Sequence, residues 1–145
     1  MVTETTPAAV ERIVDEFLAA WSAHDSERLL RLFTDDVEYE DVPAGAVNHG
    51  KAELRAFAEG WFAASPDIRF ELTSKVVTGS HAAAEWVGYG TQRGDLPGMP
   101  ASGKQFRVRG ASVMELAGGK VKRCTDYWDF ATVMRQLGFL PEVKS

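Results

Sequence analysis

Val10, Ile13, Val14, Phe17, Leu18 and Trp21 recur at alternating steps of three and one, which places them on one stripe of an α-helix. Thr6 followed by Pro7 supplies the capping hydroxyl and first-turn proline that such a helix favours. The run Ser22-Ala23-His24-Asp25 interrupts the stripe, and Asp25 or Ser26 is positioned to cap a shorter helix carrying Leu29, Leu30, Leu32 and Phe33. A brief strand is predicted over 36–42, followed by a loop over 43–50. Leu54, Phe57, Ala58, Trp61 and Phe62 then restore helical spacing until Ser65-Pro66-Asp67 ends it. Beyond that point the period changes from helical to two. Strands are predicted over 68–77, 82–91, 105–116 and 121–128, antiparallel where the short turns Thr78-Gly79-Ser80 and Gly118-Gly119 link them. Gly138 closes a short terminal helix.

Three helices followed by an antiparallel meander define an α+β fold, with the helices on one face of a strongly curved sheet. Helices of this length do not fill a strongly curved sheet to its mouth, so the expected shape is a cone-shaped α+β barrel with an interior cavity. Phe17, Trp21, Trp61, Trp86 and Trp128 are the aromatics expected to line it, although each serves equally well as ordinary core. The loop over 90–104, Gly-Thr-Gln-Arg-Gly-Asp-Leu-Pro-Gly-Met-Pro-Ala-Ser-Gly-Lys, is longer than a hairpin needs and reads as a lid.

Composition sharpens this picture. The chain has 145 residues, 45% of them hydrophobic and 10% aromatic, enough for one domain over 1–145 without a metal or disulfide to hold it. A net charge of −5 with no basic cluster argues against nucleic acid or an anionic membrane as partner. Cys124 is the only cysteine, the start is neither basic nor followed by an apolar signal region, and no apolar run reaches membrane-spanning length, the pattern of a cytoplasmic protein. His24, His49 and His81 fall in three separate loops with no ligand spacing between them, so no metal is expected. The partner left by these exclusions is a hydrophobic small molecule. Val87 and Tyr89, read as exposed strand apolars, suggest a homodimer through the sheet.

Candidate chemistry concentrates in two strands. In Arg-Cys-Thr-Asp-Tyr-Trp-Asp, residues 123–129, alternation puts Cys124, Asp126 and Trp128 on one face. A carboxylate between a thiol and an indole is either a wet surface acid or a pocket acid with a raised pKa. In Asp-Val-Glu-Tyr-Glu-Asp-Val-Pro, Val37, Tyr39 and Asp41 share one face and Glu38 and Glu40 the other. Asp41 is then either a base beside a phenol or a turn cap before Pro43. His49, just before a helix, faces either a pocket mouth or solvent. Arg107 and Arg109 read as a surface pair.

Taken together, Ala-Trp-Ser-Ala-His-Asp over 20–25, Tyr-Glu-Asp-Val-Pro over 39–43, the loop over 90–104, and Gly-Gly-Lys-Val-Lys-Arg-Cys-Thr-Asp leading into Tyr-Trp-Asp resemble the SnoaL-like polyketide cyclases, or ester cyclases. This family lies within the nuclear transport factor 2-like, or cystatin-like, superfamily. The resemblance implies a cofactor-free enzyme. Counted from Gly119, the cyclases' general acid/base falls on Asp126. Two positions depart from the family pattern: Cys124-Thr125 stands where His-Trp is usual, and Gln92 where the loop usually has His. The chain is also similar to limonene epoxide hydrolase, whose aspartate, Tyr and Asn fall on Asp126, Tyr39 and Asp41, but whose Arg and second Asp fall near Trp86 and Gly88. Ketosteroid isomerase is a third likeness, its base matching Asp41 and its oxyanion donors falling on Phe17 and Ala111.

The expected activity is proton transfer on a hydrophobic carbonyl compound, either an aldol-type cyclisation or an isomerisation. Asp126, Asp41 and Tyr39 are the catalytic candidates, and Phe17, Trp21, His49, Trp61, Trp86, Cys124 and Trp128 the substrate-binding ones. Two alternatives stand beside it: a non-catalytic ligand-binding or dimeric interaction domain, and hydrolysis by water activated at Asp126.

Overall fold

The computed structural model describes residues 5–143. Helix α1, Pro7–Ala23, opens with the Thr6 hydroxyl accepting from the Ala9 N–H and stops at His24, which takes a left-handed conformation (φ 55°). That unusual backbone for a non-glycine residue is held in place: His24 Nε2 lies 2.7 Å from the Ile68 carbonyl, and its ring stacks on Phe62 at 4.5 Å. Asp25 caps α2, Ser26–Leu30, by accepting from the Arg28 N–H. Leu32 and Phe33 do not extend this helix as the spacing suggests. Phe33 instead begins strand β1, Phe33–Asp41, where its ring is fully buried against Phe17 and Tyr39. Tertiary packing of one aromatic outweighs the local helical spacing.

Strand β2, Ala46–His49, occupies what the sequence presents as loop, and pairs antiparallel with β1. Four residues alternating between half-buried and exposed carry too little hydrophobic signal to announce a strand. Helix α3, Gly50–Ala64, strands β3, Arg69–Val77, β4, His81–Thr91, β5, Gln105–Ala117, and β6, Lys120–Trp128, and helix α4, Phe130–Leu137, follow as expected.

The six strands form one sheet in the order β2-β1-β6-β5-β4-β3. All pairs are antiparallel except β1 and β6, which run parallel, so the sheet is mixed rather than purely antiparallel. The parallel pair joins the two ends of the chain. Register shifts between β1 and β6, between β3 and β4, and between β5 and β6 bend the strands locally. Helix α1 packs on β3 and β4, α3 on β1 and β2, and α4 on β5. The core lies between these helices and the sheet face carrying Val37, Tyr39, Met114, Val121 and Cys124.

On the other face, Val87 is buried rather than exposed, and Tyr89 is covered by the Arg69 guanidinium 4.3 Å from its ring centre, with that of Arg107 at 5.8 Å. Among the described residues, no helix is long and apolar enough to cross a membrane.

Candidate active site

Because β1 and β6 run side by side in parallel, Asp41 is in register with Asp126, and because β5 pairs antiparallel with β6, Asp126 is in register with Ser112. Three polar side chains thus stand in one row across three strands, all on the helix-covered face. Residues 39 and 124 form the next row. Asp126 is 8% exposed and Asp41 2%. Both line one cavity of about 60 Å³, walled by Phe17, Trp21, Phe57, Trp61, Trp86 and Trp128 and reached from the long loop by Leu96. Glu38 and Glu40 point away from it, as alternation requires.

The hydrogen bonds around Asp126 have a fixed direction. Trp86 Nε1, which can only donate, gives its hydrogen to Ser112 Oγ at 3.0 Å. Ser112 therefore keeps its own proton to donate to Asp126 Oδ1, at 2.6 Å. The Tyr39 hydroxyl donates to Asp126 Oδ2, and the Cys124 thiol makes a weak contact to Oδ1 at 3.7 Å. Each carboxylate oxygen is thus gripped from the protein side. Burial pushes the Asp126 carboxyl up to about 7, with the nearby Asp41 adding to the rise, while the bonds from Ser112, Tyr39 and Cys124 pull the other way. Desolvation outweighs three donors here. Burial likewise drives the Tyr39 phenol and the Cys124 thiol well above their ordinary ranges, so both remain protonated donors.

Asp41 caps the turn, as one reading of its sequence context has it, and the Tyr39 phenol that the other reading set beside it is on Asp126 instead. Asp41 Oδ1 accepts from the Ala44 N–H at 3.2 Å, the turn-capping bond, and from Trp128 Nε1 at 2.8 Å. Oδ2 takes no hydrogen bond among the described residues. Burial raises this carboxyl above its usual value against the pull of those two donors. The Trp128 ring is in turn set edge-on to Trp61, with centroids 5.8 Å apart.

Phe17, Trp21, Trp61, Trp86 and Trp128 therefore line the cavity as expected, and His49 and Cys124 do not. His49 pairs with Glu38 across β1 and β2, and directly opposed residues share a face. Its imidazole lies on the exposed side, and its backbone N–H donates to Glu53 Oε1 at 2.8 Å. Cys124 is wholly buried behind Asp126, one row from the cavity.

Sequence reasoning missed Ser112 and Gln92. Ser112 is the one hydroxyl in an inward row otherwise made of Phe106, Val108, Gly110, Met114 and Leu116, a break in an apolar alternation that marks it. Gln92 is fully buried, with its side chain inside the long loop: Nε2 donates to the Met99 carbonyl at 2.9 Å, and Oε1 accepts from Ser102 Oγ at 2.7 Å and from the Ser102 N–H at 3.2 Å. It organises the loop that carries Leu96 to the cavity.

The helix-covered sheet thus encloses an apolar cavity that holds a desolvated carboxyl near neutrality, gripped by hydroxyls. Residues 11–137 match the SnoaL-like polyketide cyclase family, and the chain belongs to it. It is 33% identical over 116 residues to aklanonic acid methyl ester cyclase DauD of Streptomyces sp. (strain C5), covering 72% of this chain and 71% of that one. It is 32% identical over 114 residues to the nogalonic acid methyl ester cyclase of Streptomyces nogalater, covering 72% of this chain and 85% of that one. Among solved structures, TsrD from Streptomyces laurentii superposes with a TM-score of 0.85 at 30% identity, over 94% of this chain and all (100%) of that one.

Proposed function

We propose that the protein is a cofactor-free acid/base catalyst of an aldol-type cyclisation on an uncharged, hydrophobic ketone, of which a polyketide methyl ester is the model. The observation that carries this reading is the Asp126 carboxyl, buried in an apolar cavity and raised to about 7, where one group both takes and returns a proton at neutral pH. As carboxylate, Asp126 removes a proton from a carbon next to a carbonyl, and the C–H electron pair moves onto the carbonyl oxygen as an enolate. The enolate carbon bonds to a second carbonyl carbon, whose oxygen becomes an alkoxide. That alkoxide takes the proton back from Asp126.

Tyr39 and Ser112 hold the carboxyl in position and stabilise its charged form; with its proton donated to Asp126, Tyr39 supports the base rather than the ligand. Asp41, through its unbonded oxygen, orients a ligand hydroxyl. The cavity lining includes two carboxyls and no Lys, Arg or His, so a free carboxylate on a ligand finds no cation to pair with there, and an esterified acid needs none. The experiment is turnover of aklanonic and nogalonic acid methyl esters, the compounds on which the relatives above act, by the wild type and by Asp126→Asn. Turnover should fall by about 10²-fold or more with binding retained within several-fold. Equal turnover by the variant excludes Asp126 as the acid/base, and ligands that bind without reacting favour a binding domain.

A further inference from the structure

We infer that the indole N–H of Trp21 is the hydrogen-bond donor for the ligand's carbonyl oxygen. The enolate half of its role rests on the proton-transfer reading above; the binding half does not. Trp21 is 5% exposed, lines the cavity, and its Nε1 is sealed from solvent with no acceptor among the described residues. A buried donor left unpaired costs about 1–3 kcal/mol, and such orphans in a folded protein call for an explanation. The other sealed orphan, Thr34 Oγ1, lies outside the cavity lining.

Apart from Trp61, the remaining donors that line the cavity are already committed. Trp86 gives its hydrogen to Ser112, Ser112 and Tyr39 give theirs to Asp126, and Trp128 gives its own to Asp41. Trp61 is half-buried and its N–H is open to water, so it carries no burial cost that a ligand would relieve, and it is the competing donor that the test below separates from Trp21. Around the Trp21 indole stand the rings of Phe17, Tyr39, Phe57, Phe62 and Phe70, with centroids from 5.5 to 6.5 Å away. Aromatic faces accept an N–H only weakly, so the protein itself leaves this donor in need of an oxygen.

Its position suits the chemistry. The Tyr39 ring lies 6.4 Å from that of Trp21, and the Tyr39 hydroxyl is on Asp126. The ring that supports Asp126 is thus a direct neighbour of the ring whose N–H holds the ligand's carbonyl oxygen. When Asp126 takes the proton, negative charge gathers on that oxygen, and a donor in a dry site strengthens as the charge grows.

The test compares 1-tetralone with tetralin, the same bicycle without the oxygen, using ¹H–¹⁵N spectra of the four indole N–H groups and fluorescence quenching. In the free protein the Trp21 indole proton should resonate upfield of those of Trp86 and Trp128. 1-Tetralone should move it downfield and tetralin should not. Trp21→Phe removes an unpaired donor and keeps the ring; it should bind 1-tetralone about fivefold more weakly, from the ordinary net worth of one hydrogen bond, and tetralin within twofold of wild type. Should Trp21→Phe fail to fold, the indole shift in the wild type decides. An unmoved Trp21 resonance, failure of the wild type to bind 1-tetralone, equal losses for both probes, or the selective loss appearing in Trp61→Phe instead overturns the assignment. Asp126→Asn should keep the ketone-dependent shift. A failed proton shuttle with that shift intact condemns the acid/base role alone, and the converse condemns Trp21 alone.

Discussion

Burying the Asp126 carboxyl has a cost in stability. Its folded pKa, about 7 against a reference of 3.8, means that the folded chain holds this proton after the unfolded chain has released it. Between those two values the native state binds more protons, so stability falls as pH rises through the window. The full effect is on the order of 4 kcal/mol. Denaturant melts from pH 4 to 8 should show this decline, and Asp126→Asn should flatten most of it, leaving the smaller decline due to Asp41, whose carboxyl is raised in the same direction. Activity has the opposite slope: proton abstraction needs the carboxylate, so kcat/KM should climb through about pH 7. Tyr39→Phe, which removes one donor to Oδ2, should shift that limb to higher pH, because the charged form loses a partner. A pH–rate profile of the variant unmoved from wild type contradicts the bond's electrostatic role. At this scale the sequence was informative where side-chain alternation alone decided the outcome. Asp126, Asp41, Trp128 and Tyr39 sit on the faces that their spacing predicts, whereas His49 was misplaced because β2 was not recognised as a strand.

At the scale of elements, β5 and the loop before it show how local sequence serves the site. Gly110 lies in β5 where a Cβ would come within 2.4 Å of the Trp86 ring, so the absence of a side chain there lets that indole reach Ser112. Gly110→Ala should push the ring aside and break the Trp86–Ser112–Asp126 relay, costing about 1–3 kcal/mol in thermal or chemical melts and lowering turnover with it. A variant of wild-type stability and activity refutes the relay's dependence on that close approach. Gln92→Ala should remove the three bonds that tie the loop to itself and raise backbone hydrogen exchange over 93–103 while leaving β5 protected. The glycine-proline composition made this loop legible as a specialised segment. What pins it was not legible, because a buried glutamine bonding to carbonyls and hydroxyls seven to ten residues away leaves no periodic trace.

For the whole molecule, the size of the cavity matters. About 60 Å³ holds a handful of water molecules. A ligand of several rings therefore requires the walls to part, and Leu96 is the lining residue contributed by the long loop. Quenching of tryptophan fluorescence by 1-tetralone should accordingly proceed faster in Gln92→Ala than in wild type; equal rates place the yielding wall elsewhere. The overall architecture of helices on a curved sheet was readable from the change of hydrophobic period near Ile68. The parallel pairing of β1 with β6 was not, since antiparallel order follows from short turns but nothing local marks two strands 80 or more residues apart as neighbours.

That parallel seam also dictates when the site comes into being. Every other strand pairing in the sheet joins elements consecutive in the chain, and these close cheaply during folding. Tyr39 and Asp41 meet Cys124 and Asp126 only after a loop spanning most of the molecule has closed, a step whose entropy is lost before any contact repays it. The two halves of the acid network thus lie on opposite sides of the last and slowest junction. An unfolded or half-assembled chain has no desolvated carboxyl near neutrality, and in refolding from denaturant the ability to turn over substrate should return with the slowest phase, behind secondary structure formed by the meander.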